Sequence, residues 1–243
     1  MIKHIAIICL LIAFTSCKTL SLHPESHKLT VQKITLGSVG LDKIFLLDNT
    51  YSGTAVPEYK SPIKVSVLPV QFSKKTYKAF INAKSKQSAG VNINYIDSLS
   101  VKPVFLTLNI VDKVVLVNTL NESNNTPVKD YMAVQEGAKV VTGISIALDQ
   151  NTQNNILQSE AVFLVQNGLK QQSIQLYNDG KVTQSIPFNT GVIFAFNSSS
   201  CCWQENDKFK VNIVDIVSTT LDCPKQTYNS AKQAKKKINY FKL

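Results

Sequence analysis

The sequence predicts a mostly-β domain, antiparallel and sandwich-like, with a few short helices and a basic helix at its C-terminus. Three observations lead there. Apolar side chains recur at every second residue in many short runs of the 243-residue chain. Turn residues separate those runs. Helical spacing of apolar residues is rare and brief. A hydrophobic fraction of 44% against 17% charged residues belongs to a chain that buries a core.

Taken in order, Leu29 to Leu36 and Leu41 to Leu47 read as strands, with Gly37 and Gly40 between them. Ile63, Val65 and Val67 alternate with Lys64 and Ser66, and Pro69, which has no N–H, forces an edge or a bulge. Val91 to Tyr95 alternates cleanly. Val104 to Val117 is dense in Val and Leu, interrupted only by Asp112-Lys113, and reads as a central strand or a strand pair. Ile144, Ile146 and Leu148 alternate, Ala161 to Val165 is a short buried run, and Asn178-Asp179-Gly180 is a hairpin turn signal. Gly191 to Phe196 follows. Phe209, Val211 and Ile213 share one parity, which flips at Val214 and Ile216 and so predicts a bulge.

Helices are predicted in three places. Tyr77, Phe80 and Ile81 follow Ser73, a candidate N-cap. Asp130 to Glu136 is stopped by Gly137. Ala231, Ala234, Ile238 and Phe241 recur at helical spacing in the tail. The Asn-rich stretches 121–125 and 151–155 read as loops, and Asn121 to Pro127 as a sub-boundary near 119–128.

Charge is uneven. The chain holds 26 lysines, no arginine, and a formal net charge of +10. Residues 225–243 carry six lysines and no acid, whereas 18–224 carry 19 lysines against 16 acids. The basic character therefore belongs to the tail, and no nucleic-acid partner is expected of a body without arginine. The three histidines, His4, His23 and His27, all precede Lys28. A body beginning at Leu29 would have no Ser–His or Cys–His nucleophile pair, no His-containing zinc site and no arginine fork.

The N-terminus carries the strongest signal. Met1-Ile2-Lys3-His4 is a short basic head, and Ile5 to Phe14 is an apolar run of ten residues, too short to span a bilayer. Small residues follow, as in a secretory signal peptide. The ending Ala13-Phe14-Thr15-Ser16-Cys17-Lys18 resembles the lipobox of bacterial lipoproteins, with Phe14 where Leu is usual. The resemblance covers about 18 residues. It implies that 1–16 are removed and that Cys17 becomes the acylated first residue, since two or three acyl chains anchor stably. It further implies sorting to the periplasmic face of the outer membrane, because Lys18 rather than Asp follows the Cys and the first acid is Glu25. Residues 17–28 then read as the lipidated Cys and a tether with a reach of roughly 36 Å. His23 and His27 are four apart, but Pro24 leaves His23 outside any helix, so a solvated linker is expected rather than a metal site. Residues 29–224 form the mostly-β body and 225–243 the basic tail, whose apolar stripe is expected to pack on that body.

Cys201, Cys202 and Cys223 remain in the body. An oxidising compartment favours one bridge, from Cys223 to either Cys201 or Cys202. Trp203, in the polar surroundings of Gln204 to Asp207, is a candidate contact residue, with packing over that bridge as the alternative. Asp97, Asp112, Asp130, Glu136, Glu160, Asp179, Glu205, Asp207, Asp215 and Asp222 are scattered, and no spacing selects a pair for hydrolysis. No phosphate loop, nucleophile elbow or calcium loop is present, and no cofactor or metal is expected. The expectation is a membrane-anchored envelope lipoprotein with a non-catalytic binding or scaffolding role, its partners the bilayer through Cys17 and an envelope protein. The alternatives are a carboxylate-based periplasmic hydrolase and a carrier of an apolar ligand.

Overall fold

A computed structural model describes residues 19–22, 25–44, 49–168 and 170–236. Cys9, Cys17, His23, Ile238 and Phe241, on which several expectations rest, lie outside the described residues.

The chain runs β1 (Thr19–Leu22), β2 (Glu25–Leu29), β3 (Val39–Ile44), β4 (Asn49–Ala55), β5 (Ile63–Gln71), α1 (Lys74–Lys84), β6 (Val104–Ile110), α2 (Lys113–Asn121), α3 (Thr126–Val134), β7 (Ala138–Ala147), α4 (Gln150–Gln158), β8 (Ala161–Gln166), β9 (Gln172–Asn178), β10 (Lys181–Pro187), β11 (Val192–Glu205), β12 (Val211–Ser218) and α5 (Ala231–Lys236). The fold is mostly β with short helices, and the strands pair antiparallel in the order β1-β2-β11-β7-β6-β5-β8-β9-β10.

Two strands fork this sheet. One edge of β11 meets β7, while the other meets β2 at Ala195 and Phe196 and then β12 from Ser199 to Glu205. Likewise β7 pairs with β6 from Gly143 to Ile146 and with β3 from Ala138 to Val140. Register shifts in the β11–β7 pair accompany the fork. Phe194 is the extra residue between Ile193 and Ala195, and Thr142 is the extra residue opposite the step from Asn197 to Ser198. A bulge bends its strand and re-aims a side chain, and both re-aimed side chains matter below.

The main core lies on one face of the sheet, where Ile63, Leu106, Leu108, Ile144, Ile193 and Phe196 alternate inward beneath α2, α3 and α5. On the opposite face Phe72, Phe105 and Phe194 pack under Phe80 of α1. Ser73 caps α1 through a reciprocal pair with Thr76, as its position in the sequence predicts.

Several local signals act as expected. Asp179 and Gly180 both take positive φ in the two-residue turn between β9 and β10. Pro69 pairs with Leu106 on one side, and β8 covers β5 only from Ile63 to Val65, so the missing N–H falls on an edge. Val214 is the unpaired residue at the register shift between β11 and β12.

Other expectations are corrected. Val114 to Val117 belong to α2, because Asp112 caps that helix by accepting from Val115 N. The helix placed at Asp130 begins instead at Thr126, with Pro127 in its first turn. Residues 151–155 lie in α4 rather than a loop, capped by Asp149. Val91 to Tyr95 forms no ladder; Val91 is buried under α1. No boundary falls at 119–128, since Leu116, Leu120 and Met132 share the main core with Val65 and Ile144. Asn125 there is 1% exposed, donating to Glu58 O and Thr119 O and accepting from Glu58 N. In the tail, Ala231 and Ala234 are buried on the main core.

Candidate functional site

The fork creates a row of polar residues on the face that carries α1. Thr107 and Asn109 share parity with Phe105 along β6, and across the ladder they meet Ser145 and Gly143 of β7. Gly143 in turn faces Asn197 of β11. A Cβ at Gly143 would lie 2.2 Å from Asn109 Oδ1 and 2.2 Å from Asn197 Oδ1, so only glycine lets the two carboxamides close over the strand.

Strand β2 covers one end of this row and corrects the reading of 17–28 as a tether. Residues 25–29 form a strand, with Lys28 opposite Phe196 and Leu29 opposite Ala195. His27 is 1% exposed, and its Nδ1 lies 3.0 Å from Ser145 Oγ. A Ser–His pair is thus present in the body after all, formed with the last histidine before Leu29. Ser145 has no accessible surface, so this hydroxyl cannot reach an incoming carbonyl. Burial pushes the His27 imidazole down to about 4, which keeps the ring neutral at pH 7.

Beside this pair opens a cavity of about 290 Å3. Its polar lining comes from His27, Asn109, Lys113, Thr142, Ser199 and Ser218. Each is placed by a feature of the fold: His27 by the β2–β11 pairing, Thr142 by its bulge, Ser199 and Ser218 by their direct pairing across β11 and β12, and Lys113 by the start of α2. The Thr142 and Ser199 hydroxyls are 2.7 Å apart, a hydrogen bond in which either can donate and which leaves the acceptor's own proton free for a further partner. Leu68, Val111 and Leu221, each about half exposed or more, lie around the same cavity. Among the described residues its lining contains no Asp or Glu.

Three of the acidic residues are engaged away from this cavity. Asp97 accepts from the Tyr95 hydroxyl, which holds its carboxyl below the usual range, and Lys102 lies 3.7 Å away. Glu160 accepts from Asp179 N across the β9–β10 turn, and Asp215 from Ile216 N. Among the described residues no group of three His, Cys, Asp or Glu is close enough to hold a metal.

The cysteines resolve the alternatives left open by the sequence. Cys202 is bonded to Cys223, with Cα atoms 5.6 Å apart, and Cys201 is free and buried. Neighbouring residues of β11 point to opposite faces, so Cys201 enters the main core while Cys202 reaches Cys223. Burial pushes the Cys201 thiol up to about 12. Trp203 does not offer a contact surface. It is 3% exposed and belongs to the main core, and its backbone pairs in both directions with Tyr228 at 2.8 and 2.9 Å.

Sequence reasoning missed His27, Thr142 and Ser199 as site residues. For Thr142 and Ser199 no local signal exists, because a bulge depends on the partner strand. For His27 the alternating Ser26-His27-Lys28-Leu29 offered a weak strand signal that the linker reading overrode. No protein-family model, characterised protein or solved structure matches this chain.

Proposed function

We propose that this chain is an envelope lipoprotein, held by an acylated Cys17 at the periplasmic face of the outer membrane, with a non-catalytic role in binding. The observation that carries the anchoring half is the sequence from Lys3 to Cys17: a basic head, ten apolar residues and Thr15-Ser16-Cys17. The start of β1 at Thr19 shapes the consequence. Only Lys18 separates the acylated residue from the sheet, so the body sits directly on the bilayer rather than at the end of a long tether. The lysine-rich tail adds attraction to anionic lipid of about 1 kcal/mol per residue near the surface, enough to orient a domain that the acyl chains already hold.

The binding half rests on the cavity beside His27. Polar groups share its wall with the buried Ile110 and Leu116, and among the described residues no carboxylate lines it, which favours holding a ligand over the hydrolytic alternative. The six polar residues in its wall favour a ligand that carries hydrogen-bonding groups over a wholly apolar one.

Fractionation of cells making the Cys17→Ser variant tests the anchor. The variant is expected in the soluble fraction and the unaltered chain in the membrane fraction. Membrane retention of the variant to the same extent would refute lipid anchoring through Cys17.

A further inference from the structure

Resting on the binding reading above, we infer that the cavity beside His27 takes a small hydroxylated monoanion, the chemical class of the sugar acids, with its carboxylate at Lys113. The cavity's volume of about 290 Å3 is at the small end for ligand sites, the scale of a single sugar ring. Its chemistry selects further. Lys113 Nζ can only donate, and it stands at the N-terminal residue of the nine-residue α2, where helix geometry also favours negative charge. The Asn109 carboxamide has Oδ1 buried over Gly143, which leaves its NH2 as the polar end able to meet a ligand. Among the described residues no Asp or Glu lines the cavity to repel an anion or to pair with a cation.

The remaining groups match hydroxyls. Thr142, Ser199 and Ser218 each donate and accept. His27 is nearly fully buried, lines the cavity, and makes its one side-chain bond through Nδ1 to Ser145 among the described residues. In either tautomer Nε2 is left with one hydrogen bond to make, and a ligand hydroxyl can supply either half of it. The ring nitrogen not bonded to Ser145 is thus the group that this lining residue can offer a ligand. The apolar rim of Leu68, Val111 and Leu221 suits the C–H face of a sugar ring.

Calorimetric titration of the intact chain in detergent with D-glucuronate and with D-glucose tests this. Glucuronate is expected to bind about tenfold more tightly than glucose, and Lys113→Gln to abolish that preference by weakening glucuronate alone. Thr142→Val is expected to weaken both sugars together. In the unaltered protein the preference is expected to shrink as salt is raised, a readout that needs no variant. Equal affinities at low salt, or no binding of either sugar at about 10 mM, would overturn the inference. Fractionation of Cys17→Ser reads the anchor independently, so a chain that is anchored but binds neither sugar overturns this inference alone.

Discussion

The Nδ1 of His27 and the hydroxyl of Ser145 lie 3.0 Å apart although 118 residues separate them in the chain. That bond ties β2 to β7 at the centre of the sheet. It also makes stability depend on pH. Folding lowers the His27 pKa from 6.5 to about 4, so between these values the unfolded chain binds a proton that the folded chain refuses. The resulting stability is complete above about pH 6.5 and is lost as pH falls through 4. At about 1.4 kcal/mol per pH unit the loss is on the order of 3 kcal/mol. Urea midpoints measured from pH 7 to pH 4 should fall for the unaltered protein and fall less steeply for His27→Gln. Parallel slopes would show that the ring titrates in solvent.

Disulfide mapping gives a second prediction. Peptides from the unreduced protein should link Cys202 to Cys223, and Cys201 should react with an alkylating agent only after unfolding. Reducing the bridge, which spans 21 residues, should lower stability by about 3 kcal/mol. A linked Cys201–Cys223 peptide would contradict the register of β11.

A third prediction concerns Asn121. Its Oδ1 accepts from Ile213 N at 3.2 Å and its Nδ2 donates to Ile213 O at 2.7 Å, so one side chain completes the backbone pairing of β12. Asn121→Ala leaves both groups of a buried residue without that partner. It should cost about 2 kcal/mol and lower the melting temperature by roughly 5 °C. An unchanged melting temperature would show that the two groups find other partners.

Local chemistry was legible in the sequence where it depends on neighbours along the chain. Ser73 capping α1, Asp179-Gly180 turning the hairpin, Pro69 on an edge and Val214 in a bulge all follow from residue types and parity. What escaped depends on distant partners. Val114 to Val117 carry a strand-like composition, yet the Asp112 cap and the burial of Leu116 and Leu120 make them helical. The Asn-rich 121–125 looks like a loop because Asn favours turns, but here Asn121 and Asn125 reach backbone groups of Ile213 and Glu58. The cavity itself needs the fork, and the fork needs bulges at Thr142 and Phe194 that appear only once β7 and β11 pair.

In the proposed arrangement a lipid on Cys17 holds the β body at the membrane with a single residue between them. Intact mass spectrometry of the chain purified from membranes tests it most directly. The predicted result is a polypeptide beginning at Cys17 whose mass exceeds that of residues 17–243 by a diacylglyceryl group and an amide-linked acyl chain. A chain that retains residues 1–16, begins elsewhere, or carries no added lipid mass would contradict it.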